Sequence, residues 1–579
     1  MPSNRELADH FELIARVLEL TGANRFRVIA YQRAARAIKD LAADLNTLVA
    51  TPRKLIEIPG VGKDLARQIS EFISHGKLKE HDDLIASVPP GVLQMMQIPG
   101  VGPKTAATLW HDAGITTLDQ LKQKLHTGEL ADLPRMGEKI LANIAHSLAF
   151  VESASQRVRL GQAQPVAAWF VQQLRQLSGV QQCDFAGSLR RGRDTIGDID
   201  LLVAVQPDAL PGVADAFKKL EPVASVIAAG PTKISVRLAS NMQVDLRLIQ
   251  PDQYGAALAY FTGSKEHNVA LRQRAIKKKM RLNEYGLWQG ETSVAAASES
   301  DIYDKLDLPF IPPELRENRG EIAAAENDTL PQLVTVKDIH CELHAHTRAS
   351  DGKLTIEELA AVAKERGFHT LAITDHSVSQ AQARGLDAHR LEEHIAAVHE
   401  ARKHIKGITL LAGSEVDILA DGKLDYPNSL LKQLDIVVAS PHNALSQDPR
   451  KATERLLKAI EHPYVNIIGH PTGRLIGKRE GLSPDMAALI QAAAETGTAL
   501  EINSNPWRLD LRDTHARAAI EAGVLLAIDT DAHSANDFDN LRYGVLTARR
   551  AWAEPQHIVN CMTAAKLKTW LAQKRKKMG

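Results

Sequence analysis

Hydrophobic and polar positions change their rhythm twice along this chain. From Asp338 onward one unit repeats: a short apolar run, a polar cluster, then a stretch of helical periodicity. The runs are Ile339–Leu343, Thr370–Ile373, Thr409–Ala412, Asp435–Ala439, Val465–Ile468, Thr498–Ile502 and Val524–Ile528, with helical patterns such as Ile356–Glu365, Leu391–His404, Arg450–Glu461 and Asp485–Glu495 between them. Apolar runs alternating with helices predict parallel strands covered on both faces. Seven units predict a distorted barrel one unit short of eight, with its chemistry at the C-terminal ends of the strands.

Before Asp338 the pattern differs. Residues 1 to about 150 read as short helices joined by Gly-containing turns, and 165–178 as another helix. Strands are expected at Asp198–Val205, Thr232–Leu238 and Gln243–Ile249. Residues 254–310 are mixed. Pro309–Gln332 is rich in Pro and Glu without periodicity and reads as a linker. Length and composition fit this division, since 579 residues call for about three to five domains. The 70 basic and 70 acidic residues cancel, so any nucleic-acid binding must come from local patches. Three cysteines, a charged N-terminus and no apolar run of about 18 residues lead us to expect a cytoplasmic monomer without membrane segments.

Most of the 22 histidines follow residue 340, and six of these, with three carboxylates, fall at the predicted strand ends. His344, His346 and Asp351 follow the first strand, His376 the second, Glu415 the third, His442 the fourth, His470 the fifth, and Asp531 and His533 the seventh. Imidazole and carboxylate suit zinc and manganese. Nine such groups at six strand ends can hold two or three ions, and closely spaced ions can activate water against a phosphodiester. A lone histidine is more often a surface or capping residue, but nine converging imidazole and carboxylate groups are not explained that way. The motifs HAH, TDH, GSE, SPH, GHP and DAH resemble, in order, those of the PHP (polymerase and histidinol phosphatase) superfamily over about 338–570. The resemblance implies a trinuclear site with these nine residues as ligands, Glu415 bridging, and phosphoesterase activity.

Residues 187–200 read GSLRRGRDTIGDID. Asp198 and Asp200 alternate on a strand, so both carboxylates share one face. With Asp245 on another strand they can bind two Mg²⁺ or Mn²⁺ ions, while Ser188 and Arg191 can hold phosphates. Two turns, IPGVGK at 58–63 and IPGVGPK at 98–104, supply Gly60, Gly62, Gly100, Gly102 and Lys104. Such turns can bring backbone amides to a DNA phosphate irrespective of sequence. LPRMGEK at 133–139 reads as a degenerate third copy. Basic residues concentrate at Arg272, Arg274, Lys277, Lys278, Lys279 and Arg281, fitting either DNA contact or a solvated face. The Lys574–Lys577 run reads as a solubilising tail.

Residues 1–315 resemble the family X DNA polymerases. The resemblance adds Gly197, Tyr260, Phe261, Thr262, Gly263 and Ser264 beside the incoming nucleotide, and Asn268 at the minor-groove edge; LNEYGL at 282–287 is a further shared feature. It implies short-gap filling on primer–template DNA with dNTPs. The lysine that family members use for abasic-site lyase chemistry aligns with Gln68, with Lys63 and Lys77 out of register, so weak or absent lyase activity is expected from that position. The expected organisation is a helical DNA-binding domain (1–80), a fingers-like helical domain (81–150), a nucleotidyltransferase palm (151–250), a thumb (251–315), a linker (316–337) and the PHP barrel (338–579). The expected function is a DNA-repair polymerase with 3′–5′ exonuclease or 3′-end-processing activity, extending to abasic-site cleavage. An inactive gap-binding scaffold and a small-molecule phosphatase are the alternatives.

Overall fold

The computed structural model describes residues 4–39, 55–58, 60–75, 78–96, 98, 101–131, 133, 136–137, 140–142, 144–145, 148 and 157–578. The chain divides into two compact units, Met1–Ser155 and Gln156–Gly579.

The first unit is helical: Asn4–Leu20, Arg25–Lys39, Lys63–His75, Lys79–Ala86, Pro90–Met95, Pro103–His111 and Leu118–Thr127. Both glycine turns close identically. The Val61 amide donates to Ile58 O (3.0 Å) and the Val101 amide to Ile98 O (2.9 Å), and a helix starts two residues later in each case. Val61 and Val101 are buried, anchoring each turn in its own apolar cluster. Gly60 needs its positive φ of 84°, and a Cβ there would lie 2.9 Å from Arg33 Cβ. Gly100 and Lys139 lie outside the described residues.

The second unit opens with β1 (Val158–Arg159), which pairs with β3 (Thr195–Ile196). A five-stranded sheet follows, ordered β2 (Val180–Phe185), β4 (Asp198–Val205), β7 (Gln243–Ile249), β6 (Lys233–Leu238), β5 (Val223–Ala229), in which only β4 and β7 run parallel. Phe170 and Phe217, from helices Leu160–Arg175 and Leu210–Lys218, pack on one face with Ile199, Leu201 and Val203. Helix Tyr254–Thr262 covers Leu202 and Ala204 on the other. A three-stranded antiparallel sheet, β8 (Arg281–Asn283), β9 (Gly286–Gln289) and β10 (Thr292–Ala295), comes next.

The last part is the predicted barrel. Its seven parallel strands stand in chain order: β11 (Cys341–Glu342), β12 (Thr370–Ile373), β13 (Thr409–Asp417), β14 (Ile436–Ser440), β15 (Ile467–Ile468), β16 (Ala499–Asn503) and β17 (Leu526–Asp529). A parallel bridge between Ala345 and Ala532 joins the first and last. All but two strand residues are buried, as apolar runs without alternation predict. Four barrel helices start on a side-chain cap, Thr355, Asp387, Asp448 and Asp485; Thr355 Oγ1 accepts from the Glu358 amide while Glu358 accepts from the Thr355 amide.

Two expectations are corrected. Residues 316–337 are packed rather than a linker. Helix Glu321–Glu326 forms there, Arg316 is fully buried with Nη1 2.6 Å from Glu299 Oε1, and Glu321 pairs with His267 at 2.7 Å. Buried ion pairs and scattered apolar anchors such as Ala325, Leu333 and Val334 fix this segment together, so periodicity does not reveal it. The lysine-rich end is not merely a tail either. Helix Ala564–Met578 caps the barrel with Leu567, Trp570 and Leu571, and buried Lys574 donates to Ile460 O, Val465 O and Thr498 Oγ1 at 2.6–2.8 Å. Among the described residues, no helix is long and apolar enough to cross a membrane.

Candidate active sites

The barrel site is built at its strand ends. Glu415 lies within β13 rather than beyond it, because that strand runs on to Asp417. The Glu415 carboxylate faces five imidazoles through Oε1 and Oε2: His376 Nδ1 at 2.7 Å, His470 Nε2 at 3.0 Å, His442 Nε2 at 3.2 Å, His344 Nε2 at 3.4 Å and His346 Nε2 at 3.7 Å. His346 Nε2 lies 3.0 Å from Asp531 Oδ1, and His533 Nε2 lies 3.2 Å from Asp351 Oδ1. Three donor sets overlap: His346, Asp351, His376 and His533; His344, His346 and Asp531; His376, Glu415 and His442. All nine predicted residues therefore converge, His470 through Glu415.

The chemistry of this donor set fits divalent cations. His344 Nε2, His346 Nδ1 and Nε2, His376 Nδ1, Glu415 Oε2, His470 Nδ1 and Asp531 Oδ1 are all buried without a hydrogen-bond partner. Orphaned buried donors and acceptors are costly unless a ligand satisfies them. Burial opposes ionisation of Glu415, yet His442, His344 and His376 hold its carboxyl well below the usual range. Asp531, equally buried, is held low by the neighbouring imidazoles of His344, His346 and His533. Burial and the nearby Arg508 guanidinium push His470 down to about 3, leaving a neutral imidazole.

Behind these ligands stand groups that sequence reasoning missed. His344 Nδ1 donates to Glu501 Oε1 (2.6 Å) and His442 Nδ1 to Asp417 Oδ1 (2.8 Å). Asp375 accepts from the Thr347 amide (2.9 Å), Thr347 Oγ1 (2.8 Å), the Ser350 amide (3.1 Å) and Ser350 Oγ (2.5 Å), bracing the loop between His346 and Asp351. Asn503 Nδ2 donates to Asp531 Oδ2 at 3.1 Å. Each lies in or beside an apolar strand, where a carboxylate or amide is itself the available signal.

The second site is on the five-stranded sheet. β4 and β7 pair so that Asp200 faces Asp245, and the carboxylate oxygens of Asp198, Asp200 and Asp245 lie within 4.8 Å of one another. Burial, then the charges of Asp198 and Asp245, push Asp200 up to about 7. Lys233 Nζ (2.7 Å) and Gln243 Nε2 (2.9 Å) hold Asp245. Three clustered carboxylates, one of which resists ionising, fit a cation-binding group. Gly187, at φ 63°, lets the backbone pass over them, since a Cβ there would lie 2.3 Å from Asp200 Oδ2.

Beside this trio lies a pocket of about 570 Å³ lined by Ser188, Arg191, Tyr260, Phe261, Gly263 and Asn268, among others. Gly197 does not line it. That residue sits between β3 and β4, where a Cβ would meet Arg157 Nη1 at 3.2 Å. Arg191 is already engaged, with Nε 3.0 Å from Glu317 Oε1 and Nη1 donating to Thr262 O. Asn268 Nδ2 donates to Tyr260 O at 2.7 Å. In the basic cluster, Arg274 pairs with Glu326 and Lys278 with Asp307, while Arg272 reaches the pocket. Gln68 is buried and accepts from Tyr31 OH at 2.9 Å, which in turn lies 3.0 Å from His81 Nε2.

Comparison with known proteins follows the same divisions. Family models match for a helix-hairpin-helix domain at residues 2–78, a SAM-like helix-hairpin-helix tandem at 92–149, the DNA polymerase beta thumb at 257–317 and the PHP domain at 342–505. The Bacillus subtilis DNA polymerase/3′-5′ exonuclease PolX is 36% identical over 564 residues, covering 97% of this chain and 98% of its own length. A Thermoanaerobacter protein described as a probable phosphatase is 30% identical over 249 residues, 41% of this chain and 96% of its own. The ternary-complex crystal structure of Leishmania infantum polymerase beta aligns at 25% identity with 39% of this chain and 98% of its own, at a TM-score of 0.26.

Proposed function

This chain belongs to the family X DNA polymerases that carry a PHP domain, and on that premise we propose that it fills short gaps in DNA at one site and trims 3′ ends at the other. The observation that carries this reading is the pair of separate acidic centres, Asp198–Asp200–Asp245 on the sheet and the nine-residue cluster in the barrel. We place the domain limits as the sequence suggests, with 316–337 joined to the folded body, and the protein in the cytoplasm as a monomer acting in repair.

At the sheet, Asp198, Asp200 and Asp245 would hold Mg²⁺ or Mn²⁺, and at the barrel the nine ligands would hold two or three Mn²⁺ or Zn²⁺ ions. When bound, such ions supply Lewis acidity that makes a hydroxyl or water a better nucleophile and offsets phosphate charge. Ser188 and Arg191 then hold the triphosphate, Tyr260, Phe261 and Gly263 wall the sugar, and Asn268 meets the minor-groove edge. The glycine turns around Gly60, Gly62, Gly100 and Gly102, with Lys104, grip the DNA backbone without reading bases. In the barrel, Glu501 and Asp417 fix the ring orientations of His344 and His442, leaving their Nε2 atoms toward the centre. Cleavage at abasic sites falls within the same chemistry.

A time course on a gapped, 5′-labelled primer tests both halves, with and without dNTPs and Mn²⁺. Asp198→Ala should stop extension and leave shortening; His344→Ala should do the reverse. Loss of both activities in each variant would overturn independent sites. Hydrolysis of histidinol phosphate in preference to 3′-phosphorylated DNA would favour a small-molecule phosphatase in the barrel.

A further inference from the structure

The barrel packs against the segment that carries Arg191, one of the residues lining the pocket beside the acidic trio. Helix Leu541–Arg550 packs Leu541, Val545 and Ala548 into the barrel core, while Tyr543 joins the core of the five-stranded sheet and Leu546 lies against it. Leu546 Cβ would lie 3.4 Å from a Cβ placed on Gly192, the glycine that ends the GSLRRG segment. At the end of this helix, Arg550 is nearly fully buried. Its Nη1 donates to the backbone carbonyl of Arg191 (2.7 Å) and to Glu317 Oε1 (2.9 Å), and Nε and Nη2 reach Asp513 Oδ2 at 3.1 and 2.8 Å.

Glu317 is thus shared. Its Oε1 also faces Arg191 Nε at 3.0 Å, and its Oε2 faces Arg193 Nη1 at 3.4 Å. Arg319 completes the group at 3.0 Å from Asp513. Four guanidiniums, of Arg191, Arg193, Arg319 and Arg550, meet two carboxylates, Glu317 and Asp513. The excess positive charge lies beside a pocket that Arg191 and Arg193 both line.

We infer that Arg550, a residue of the nuclease barrel, is a positioning residue for the polymerase half. It fixes the Arg191 backbone and takes up part of the Glu317 charge, so that Arg191 and Arg193 face the triphosphate of the incoming nucleotide. Without it, Glu317 pairs fully with Arg191, and the triphosphate must compete with a buried carboxylate for that guanidinium. This rests on the reading of the Ser188–Arg191 pocket as the dNTP site.

The test is single-nucleotide insertion on gapped DNA by the full chain, with dNTP concentration varied, for wild type, Arg550→Ala and Arg550→Lys. Exonuclease rate on a single strand and thermal unfolding serve as controls for the fold. Arg550→Ala should raise KM for dNTP by about tenfold while kcat changes less than about threefold, about 1.4 kcal/mol placed on nucleotide binding. Arg550→Lys, which keeps the charge but not the fork, should fall between. Exonuclease activity should stay within twofold of wild type. An unchanged KM in both variants would overturn the inference. So would equal loss of both activities in the lysine variant, which would make Arg550 only a strut between the halves. Failure of the wild type to insert nucleotides would instead remove the parent reading, and this inference with it.

Discussion

Glu501 is where the barrel site can be weakened without touching a proposed ligand. Its Oε1 accepts from His344 Nδ1 at 2.6 Å, and its Oε2 accepts from the His470 amide at 2.6 Å and from Asn503 Nδ2 at 3.2 Å. All three partners are donors when His344 presents Nε2 to a cation. Glutamine has one acceptor oxygen and an amide NH₂, so either orientation of Glu501→Gln sets donor against donor at one of these contacts. The loss combines a charge-assisted bond with an unsatisfied buried donor. Removal of such a partner typically weakens metal binding by about 10–100-fold, about 1.4–2.7 kcal/mol. The assay is exonuclease rate against Mn²⁺ concentration on a 5′-labelled single strand, with metal retained after dialysis counted by elemental analysis. Half-saturation should rise within that range, the rate at saturating Mn²⁺ should recover to within a few-fold, and primer extension should be untouched. An unchanged Mn²⁺ requirement would refute the orienting role. A rate lost at every Mn²⁺ concentration, with metal content unchanged, would place Glu501 in the chemistry instead.

Three further outcomes are expected. Gly187→Ala combines a positive φ with a Cβ 2.3 Å from Asp200 Oδ2 and should cut primer extension at least tenfold while sparing the exonuclease; near-normal extension would show that the loop moves freely. Borohydride should trap no covalent adduct between the N-terminal unit and an abasic-site substrate, because buried Gln68 stands at the expected lysine position; an efficient adduct mapped by peptide mass to residues 1–155 would contradict this. Burial, with His10 and Arg27 nearby, pushes His81 down to about 4 from 6.5. The unfolded chain therefore binds a proton that the folded unit refuses, and stability present above pH 6.5 drains away as pH falls toward 4, by at most about 3 kcal/mol. Protection factors of the amides in helix Lys63–His75, corrected for the pH dependence of intrinsic exchange, should fall over that window in the wild type and much less in His81→Gln, and identical profiles would remove His81 as the cause.

The parts of this molecule that were legible in the sequence are those where one residue type answers one physical demand. A strand buried on both faces must be apolar throughout, so β12, β14, β16 and β17 announce themselves, and a polar residue at such a strand's end stands out because the fold does not need it there. That is why all nine barrel residues could be named. Asp198 and Asp200 were legible for a related reason, since alternation puts both on one side of β4, and the register that sets Asp245 against Asp200 only completes the trio. Edge strand β5 escaped notice. Its VASVIAA is mostly exposed, with Val226 and Ile227 each 46% accessible, so neither alternation nor a buried run marks it.

What stayed hidden depends on partners far apart in sequence. Arg191 reads as a free phosphate ligand until Glu317 and Arg550 are placed against it, separated from it by 126 and 359 residues. Lys574 reads as a solvated tail until helix Ala564–Met578 closes the barrel and sets its ammonium among two carbonyls and a hydroxyl. Residues 316–337 carry no periodicity because Arg316 and Glu321 are buried through ion pairs, and a buried ion pair leaves no repeating trace in sequence. In each case a charged side chain, which composition assigns to solvent, is taken inward by a partner of opposite charge or by carbonyl oxygens. Those inward charges cluster where the barrel meets the sheet: Arg474 reaches Asp194 at 3.0 Å, Arg159 stacks on Trp507 and Arg550 holds Glu317. Three independent polar ties at one junction, beside a shared apolar core, join two folds that sequence motifs present as separate enzymes. A variant that breaks one tie should therefore disturb the site it borders before it loosens the junction.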